Sequence, residues 1–438
     1  MADIRYLTFE GGGGKGAAYL GALELLHKEL KVLEYHPDSK GIKINGVVPF
    51  RLDKTKIRGI AGTSAGAITA TVLAAGYRPE DIRAMLLDSA KLSEIVRDYA
   101  GHGQIPAIVA RSGAGGLEIK PLAMKEHLSH RTQEGLKASA WFTVANRSKD
   151  MFAAGICYGL GLPGVFAEAA LAESLSQFTE AARHYYFDLG LLDGEVLRQI
   201  IGNVLQTQFG NRNITFKEMN KDTEIHLKLT GTSVQTAETV WFDHLGVWAN
   251  MCVADAVRIS VSFPMVFKPV CVLPRDQFRN GTSDGYLFAD GGILANNPIR
   301  AFDYVKKPEP IGLCESFITG RPRERRAPGR LNPEVLSFRL DKDVADPGYI
   351  GLPSYMLGLT KCATSLSETT PLADPQALRQ TIALSTEGLS TLDFVISPGT
   401  PEDPNAKPGD KLDAFVRRAE VETRDGLAAA GYFRVEPV

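Results

Sequence analysis

Neither sign of charge is in excess in this 438-residue chain: 49 Lys and Arg stand against 51 Asp and Glu. Without a global basic field there is no electrostatic footprint for nucleic acid, and no such partner is expected. Cysteine is scarce. The five, Cys157, Cys252, Cys271, Cys314 and Cys362, are scattered and odd in number. They read as buried free thiols in a reducing compartment rather than a disulfide framework. No Cys–His spacing resembles a metal site and no run of acids around a glycine resembles a calcium loop, so neither metal nor cofactor is expected. Met1-Ala2-Asp3 has neither the charged nor the apolar region of a secretory leader. The expectation is a cytoplasmic or peripheral-membrane protein, with export by a leader-independent route left open. Internal repeats are absent. Histidine is missing from the last part of the chain: of eight, none follows His244.

Glycine is plentiful, and three glycine-marked segments carry most of the information: Gly11-Gly12-Gly13-Gly14-Lys15-Gly16, Gly62-Thr63-Ser64-Ala65-Gly66 and Asp290-Gly291-Gly292. The first follows an apolar run, Ile4–Phe9, and precedes a helix-like stretch, Ala17–Leu30. The second follows Ile57–Ala61 and precedes Ala65–Ala75. Each reads as strand, tight turn, helix. Further strands are expected at Phe142–Ala145, Ile225–Leu229 and Val335–Leu340, and helices at Glu195–Phe209 and Lys411–Ala429. With 44% apolar residues, the chain can bury a sizeable α/β core. Loops rich in Gly and Pro are expected at Gly101–Gly116, Leu273–Gly285, Lys306–Gly329 and Ile396–Lys407.

Glycines flanking Ser64 remove the Cβ atoms that would clash in a sharp strand-to-helix turn, and such a turn pushes the serine out at the sheet edge. Ser64 is equally placed to be an ordinary helix N-cap. The glycine run has rivals too. Gly11, Gly13 and Gly16 fit a dinucleotide fingerprint, with Glu34 where a ribose-binding acid is expected. A Walker A loop fits worse, because Gly16 follows Lys15 where Ser or Thr is needed. The serine turn breaks the tie. Acyl transfer needs both a nucleophile and N–H donors aimed at an oxyanion, whereas a nucleotide fold needs no serine elbow on its next strand.

A serine needs a base. The best acid, Asp290, follows every histidine, and His226 and His244 read as structural or surface imidazoles. That order favours a two-residue arrangement in which Asp290 takes the serine proton directly, its pKa raised in a partly dry pocket.

These three segments, in this order, resemble the patatin-like phospholipases, lipid acyl hydrolases with a Ser–Asp dyad. Ala256 to Pro264, Phe267-Lys268-Pro269-Val270 and Asn296-Asn297-Pro298 are similar to the family's flanking segments. The resemblance implies an α/β fold with a central, mostly parallel sheet flanked by helices. It implies one domain over residues 3–430, with a poorly matched insertion at about 90–190. It implies Ser64 as nucleophile, Asp290 as base and acid, and an oxyanion hole from Gly11, Gly12, Gly13 and Gly14. Lys15 adds positive potential near a phosphate head group, and Gly16, Gly62, Gly66, Gly291 and Gly292 support the motifs. The implied partner is a phospholipid or lysophospholipid reached by peripheral membrane contact. A protein activator is not readable. A catalytically retired binding module on the same fold and a nucleotide-binding oxidoreductase are the alternatives.

Two segments invite a membrane reading. Met151–Ala167 carries no charge, yet is short for a bilayer crossing and contains Pro163, so a cover over the site or a buried segment is expected. Arg321, Arg323, Arg325, Arg326 and Arg330 form a basic run suited to solvent or to anionic lipid.

Overall fold

The structure, a computed structural model, describes residues 3–95, 106–113, 116–119, 189–274, 285–303, 311–323, 329–341, 351–386 and 408–432. Strands and helices alternate through the first part: β1 (Tyr6–Phe9), α1 (Tyr19–Lys28), β2 (Gly59–Gly62), α2 (Ala65–Ala74), β3 (Ala107–Gly113) and β4 (Gly116–Ile119). There follow α3 (Glu195–Phe209), β5 (His226–Ser233), β6 (Glu238–Phe242), α4 (Val253–Ser260), β7 (Val270–Pro274), β8 (Tyr286–Asp290) and α5 (Gly292–Ala295). The chain ends with β9 (Val335–Leu340), α6 (Gly351–Leu372), β10 (Thr381–Leu384) and α7 (Pro408–Ala429).

These ten strands form one central sheet in the order β10-β9-β1-β2-β5-β8-β7-β3-β4, with β6 paired to β5, and four short strands among the described residues make two further two-stranded sheets. Pairing is parallel from β10 through to β5, and antiparallel where β8 meets β5 and β7. This is a mostly parallel sheet flanked by helices. Leu7, Phe9, Ile60, Leu229, Phe288 and Phe338 fill its core. Strands buried on both faces read as near-continuous apolar runs, which is why β1 and β9 were visible in the sequence. Helix α1 is buried from Tyr19 to Leu26 because α7 covers its outer side, with Leu412 and Val416 packed on Ala17 and Leu20.

Register decides where the functional segments meet. Gly62, the last residue of parallel β2, pairs with Leu229, and Asp290, the last residue of antiparallel β8, pairs with Gly231. The two strands approach from opposite directions, so the ends carrying Ser64 and Asp290 converge at one level of β5.

Several expectations are corrected. The expected loop at Gly101–Gly116 holds strand β3 and the first residue of β4, which pair antiparallel as a hairpin from Ala110 with Ile119 to Gly113 with Gly116. Of the expected loop at Leu273–Gly285, Leu273 and Pro274 belong to β7, and residues 275–284 lie outside the described residues. Within Lys306–Gly329 lies a helix, Leu313–Thr319, started by the Glu315 carboxylate accepting the Gly312 N–H at 3.0 Å. A 3-10 helix, Gly13–Ala18, precedes α1, so helical structure starts inside the glycine run. Cys252, Cys271 and Cys314 are buried and free, and burial pushes their thiols up to about 12. Cys362 is exposed. The expected strand Phe142–Ala145, the segment Met151–Ala167, Cys157 and the loop Ile396–Lys407 lie outside the described residues, as does most of the expected insertion.

Candidate active site

Ser64 occupies the turn between β2 and α2 with φ 52° and ψ −123°, a conformation rare for a residue with a Cβ and held only where the surroundings enforce it. A Cβ on Gly62 would lie 2.1 Å from the Gly66 carbonyl oxygen, and one on Gly66 would lie 2.2 Å from the Phe9 carbonyl oxygen. Only glycine lets the turn close this tightly against the end of β1. By position Ser64 caps α2, but its side chain makes no capping hydrogen bond. Instead Ser64 Oγ donates to Asp290 Oδ2 at 2.8 Å.

Asp290 is 1% exposed and Ser64 7%. The other carboxylate oxygen, Oδ1, accepts the Gly292 N–H at 2.6 Å. Burial pushes the Asp290 carboxyl up to about 7, against the opposing pull of the hydrogen bonds from Gly292 and Ser64. Its backbone is fixed as well. The Asp290 N–H donates to Ser262 O at 3.0 Å, and Thr232 Oγ1 donates to Asp290 O at 2.8 Å. Thr63 Oγ1 bonds Thr230 Oγ1 at 2.7 Å and donates to Ala295 O at 2.8 Å, tying the serine turn to β5 and α5.

The glycine run lies against this pair. A Cβ on Gly11 would lie 2.9 Å from the Ser64 Cβ. The N–H groups of Gly12, Gly13 and Gly14 have no acceptor among the described residues, at the start of a helix where the backbone dipoles favour negative charge. Gly11 departs from the expectation. Its N–H donates to Asn296 O at 3.1 Å, so it shapes the turn and has no donor left for an oxyanion. Lys15 and Gly16 lie in the 3-10 helix, both half-buried. Gly291 and Gly292 start α5.

A family model described as patatin-like phospholipase matches residues 7–303, more than half of the chain and all three glycine-marked segments. The chain belongs to the patatin-like phospholipase family. Membership supports a lipid hydrolase. The uncharacterized protein YqhO of Bacillus subtilis (strain 168) is 25% identical over 328 residues, which are 73% of this chain and 72% of that protein. Among solved structures, VipD from Legionella pneumophila aligns with 98% of this chain and 67% of its own, at 14% identity and TM-score 0.38. A chain of the heterodimeric ExoU–SpcU complex from the type III secretion system of Pseudomonas aeruginosa aligns at 15% identity and TM-score 0.35, over 98% of this chain and 52% of that one. This chain therefore spans about half the length of that relative.

Sequence reasoning missed a buried polar cluster behind the glycine run of this patatin-like chain. Asn296 Nδ2 donates to Glu368 Oε1 at 2.7 Å, to Gly11 O at 3.0 Å and to Glu10 Oε1 at 3.3 Å. Glu10 Oε2 accepts the Leu340 N–H at 2.8 Å. Glu368 and Ser367 belong to α6, beyond the residues that the family model matches. Ser367 Oγ donates to Gly292 O at 2.8 Å, so α6 touches the segment that carries Asp290. Asn296 had a sequence signal in Asn296-Asn297-Pro298; Glu10 and Glu368 had none, since lone acids read as surface.

The other candidates lie elsewhere. His226 Nε2 bonds Asp243 Oδ2 at 3.2 Å and packs edge-on against His244, at the start of β5. Arg323 is paired with Glu238 at 2.9 Å, while Arg321 and Arg330 are exposed; Arg325 and Arg326 lie outside the described residues. Glu34, the acid that a dinucleotide reading requires, faces Lys56 at 3.8 Å. Together with His36 and Asp53 it forms the one group of potential metal ligands among the described residues, their ligand atoms within 4.8 Å of one another. His36 Nε2 lies 3.4 Å from Asp53 Oδ2. Among the described residues no helix is long and apolar enough to cross a membrane.

Proposed function

We propose that the chain is a serine lipid acyl hydrolase of the phospholipase A or lysophospholipase type, working through an acyl-Ser64 intermediate. The observation that carries the reading is the direct 2.8 Å contact between Ser64 Oγ and buried Asp290. As Ser64 Oγ attacks the ester carbonyl carbon, its proton passes to Asp290 Oδ2. Charge develops on the carbonyl oxygen, which the N–H groups of Gly12, Gly13 and Gly14 stabilise. Collapse breaks the bond to the alcohol oxygen, and Asp290 returns the proton to that leaving group. Water then attacks the acyl-Ser64 carbonyl, giving its proton to Asp290. Breaking the bond from the acyl carbon to Oγ releases the fatty acid, and Asp290 returns the proton to Oγ, restoring the Ser64 hydroxyl. A carboxyl near pH 7 is suited to both directions of proton transfer.

Lys15, at the glycine run, adds positive potential for a phosphate head group. Residues 3–430 act as one catalytic unit, a reading supported by the reach of Glu368 and Ser367 from α6 into the site. Access to substrate is by peripheral contact with a membrane surface. The test is product analysis on phospholipid and lysophospholipid vesicles with wild type and Ser64→Ala. Wild type releases fatty acid and is labelled by a fluorophosphonate at Ser64; the folded variant does neither. Undiminished release by Ser64→Ala overturns the assignment. No release by folded wild type, on vesicles or on a soluble ester, favours a binding module.

A further inference from the structure

The N–H of Ser64 donates to Ser260 Oγ at 2.9 Å. Ser260 is wholly buried at the last position of α4. A serine at φ 52° does not rest there by itself, and the Ser64 side chain is committed to Asp290. Ser260 therefore accepts the one main-chain donor of the strained residue. Two residues on, Ser262 O accepts the Asp290 N–H at 3.0 Å. A three-residue segment thus grips both members of the pair. That segment is itself anchored. Buried Arg258 donates from Nη1 to Ser262 Oγ at 2.6 Å, from Nη2 to Lys268 O at 2.8 Å and from Nε to Asp193 O at 2.9 Å.

We propose that Ser260 is a positioning residue for this site: by accepting the Ser64 N–H, its hydroxyl oxygen holds the nucleophile's backbone where Oγ meets Asp290. The inference rests on the roles assigned to Ser64 and Asp290 above. It also removes the Ser64 N–H from the oxyanion donors and leaves that task to the glycine run.

The test uses the full chain and a soluble short-chain ester, with rates normalised to sites titrated by a fluorophosphonate. Ser260→Ala deletes the acceptor and leaves a buried N–H unpaired. A misplacement on the ångström scale lowers kcat by roughly 10- to 100-fold, with KM little changed. The second readout is the pH–rate profile. The Ser64 hydrogen bond lowers the Asp290 pKa, so loosening it moves the rising limb to higher pH. A role in folding alone lowers the titrated fraction and leaves the limb in place. Ser260→Thr keeps the oxygen and is expected to retain most of kcat and the wild-type limb. Ser260→Cys, close in size but a weak acceptor, gives the same shift as alanine and serves where the alanine variant does not fold. Wild-type kcat and an unmoved limb in Ser260→Ala or Ser260→Cys overturn the proposal. Those results with an inactive Ser64→Ala leave the Ser64 reading standing, whereas an active Ser64→Ala removes that reading first.

Discussion

Asp290→Asn is expected to stabilise the folded chain while abolishing hydrolysis, and the stabilisation should grow with pH. A free aspartate titrates near 3.8, and burial raises Asp290 to about 7. A carboxyl raised on folding destabilises the native state once the unfolded chain ionises it. Below the unfolded pKa both states are neutral and the effect vanishes. Between the two values the unfolded state holds fewer protons, so stability falls as pH rises, and above about 7 the loss is complete. A gap of about 3 in pKa corresponds to ~4 kcal/mol at the plateau. Asparagine is isosteric: its oxygen still accepts from Gly292 and its amide can donate to Ser64. The variant therefore escapes the ionisation cost with its contacts largely kept. Between pH 5 and pH 8 the advantage of the variant should grow by about 2.5 kcal/mol. An unfolding entropy of ~2.1 cal/mol/K per residue turns that into roughly 3 °C for a chain of 438 residues. The assay is thermal unfolding of both proteins across that range, where titrations common to the two cancel. An advantage that stays constant or shrinks with pH would falsify the view of Asp290 as a carboxyl whose charge is penalised by burial.

The same titration governs rate: turnover of a soluble ester should rise with pH through about 7 and then level, and a profile flat from pH 5 to 8 would remove Asp290 as the base. His226→Asn and His244→Asn should each keep most turnover, because His226 is engaged with Asp243 rather than with the Ser64–Asp290 pair; a loss of about 10³ to 10⁴ in either would show a triad instead. In the uncharged segment 151–167, Phe152→Asp or Leu160→Asp should impair hydrolysis of vesicle phospholipid far more than of a short ester. Equal loss on both substrates points to an ordinary core segment.

What was legible in the sequence is what repeats locally. Tyr6–Phe9 and Val335–Leu340 announce themselves as apolar runs, and the Ser64 turn announces itself because only glycines at 62 and 66 permit it. Asp290 was reachable by elimination, since no histidine follows it. The hairpin at 107–119 was hidden by the Gly, Ser and Pro residues around it, which read as loop. The buried cluster of Glu10, Asn296 and Glu368 was invisible for a different reason: Asn296 is 286 positions from Glu10 and 72 from Glu368, and a carboxylate carries no local mark of burial. Ser260 lies in a segment whose only sequence signal is its likeness to the family, and its bond to the Ser64 N–H is a fact of tertiary structure.

The geometry also bears on why the base would be a carboxylate rather than an imidazole. A histidine between serine and acid needs two hydrogen bonds and the width of a ring, well over about 5.5 Å. Here Ser64 Oγ and Asp290 Oδ2 are 2.8 Å apart, which leaves no room for one. That closeness follows from register: a parallel strand ending at Gly62 and an antiparallel strand ending at Asp290 meet two residues apart along β5. An aspartate exposed to water would be too weak a base for a serine hydroxyl. The convergence that brings the two side chains together also buries Asp290, and burial is the largest cause of its raised pKa. Contact and basicity thus have one origin in the sheet. Substitutions that open this junction, such as Thr230→Ala, which removes the hydroxyl bonded to Thr63, should therefore lower the rate and the apparent pKa of the rising limb together, as water reaches Asp290. A slower variant with an unchanged limb would separate the two and count against a common origin.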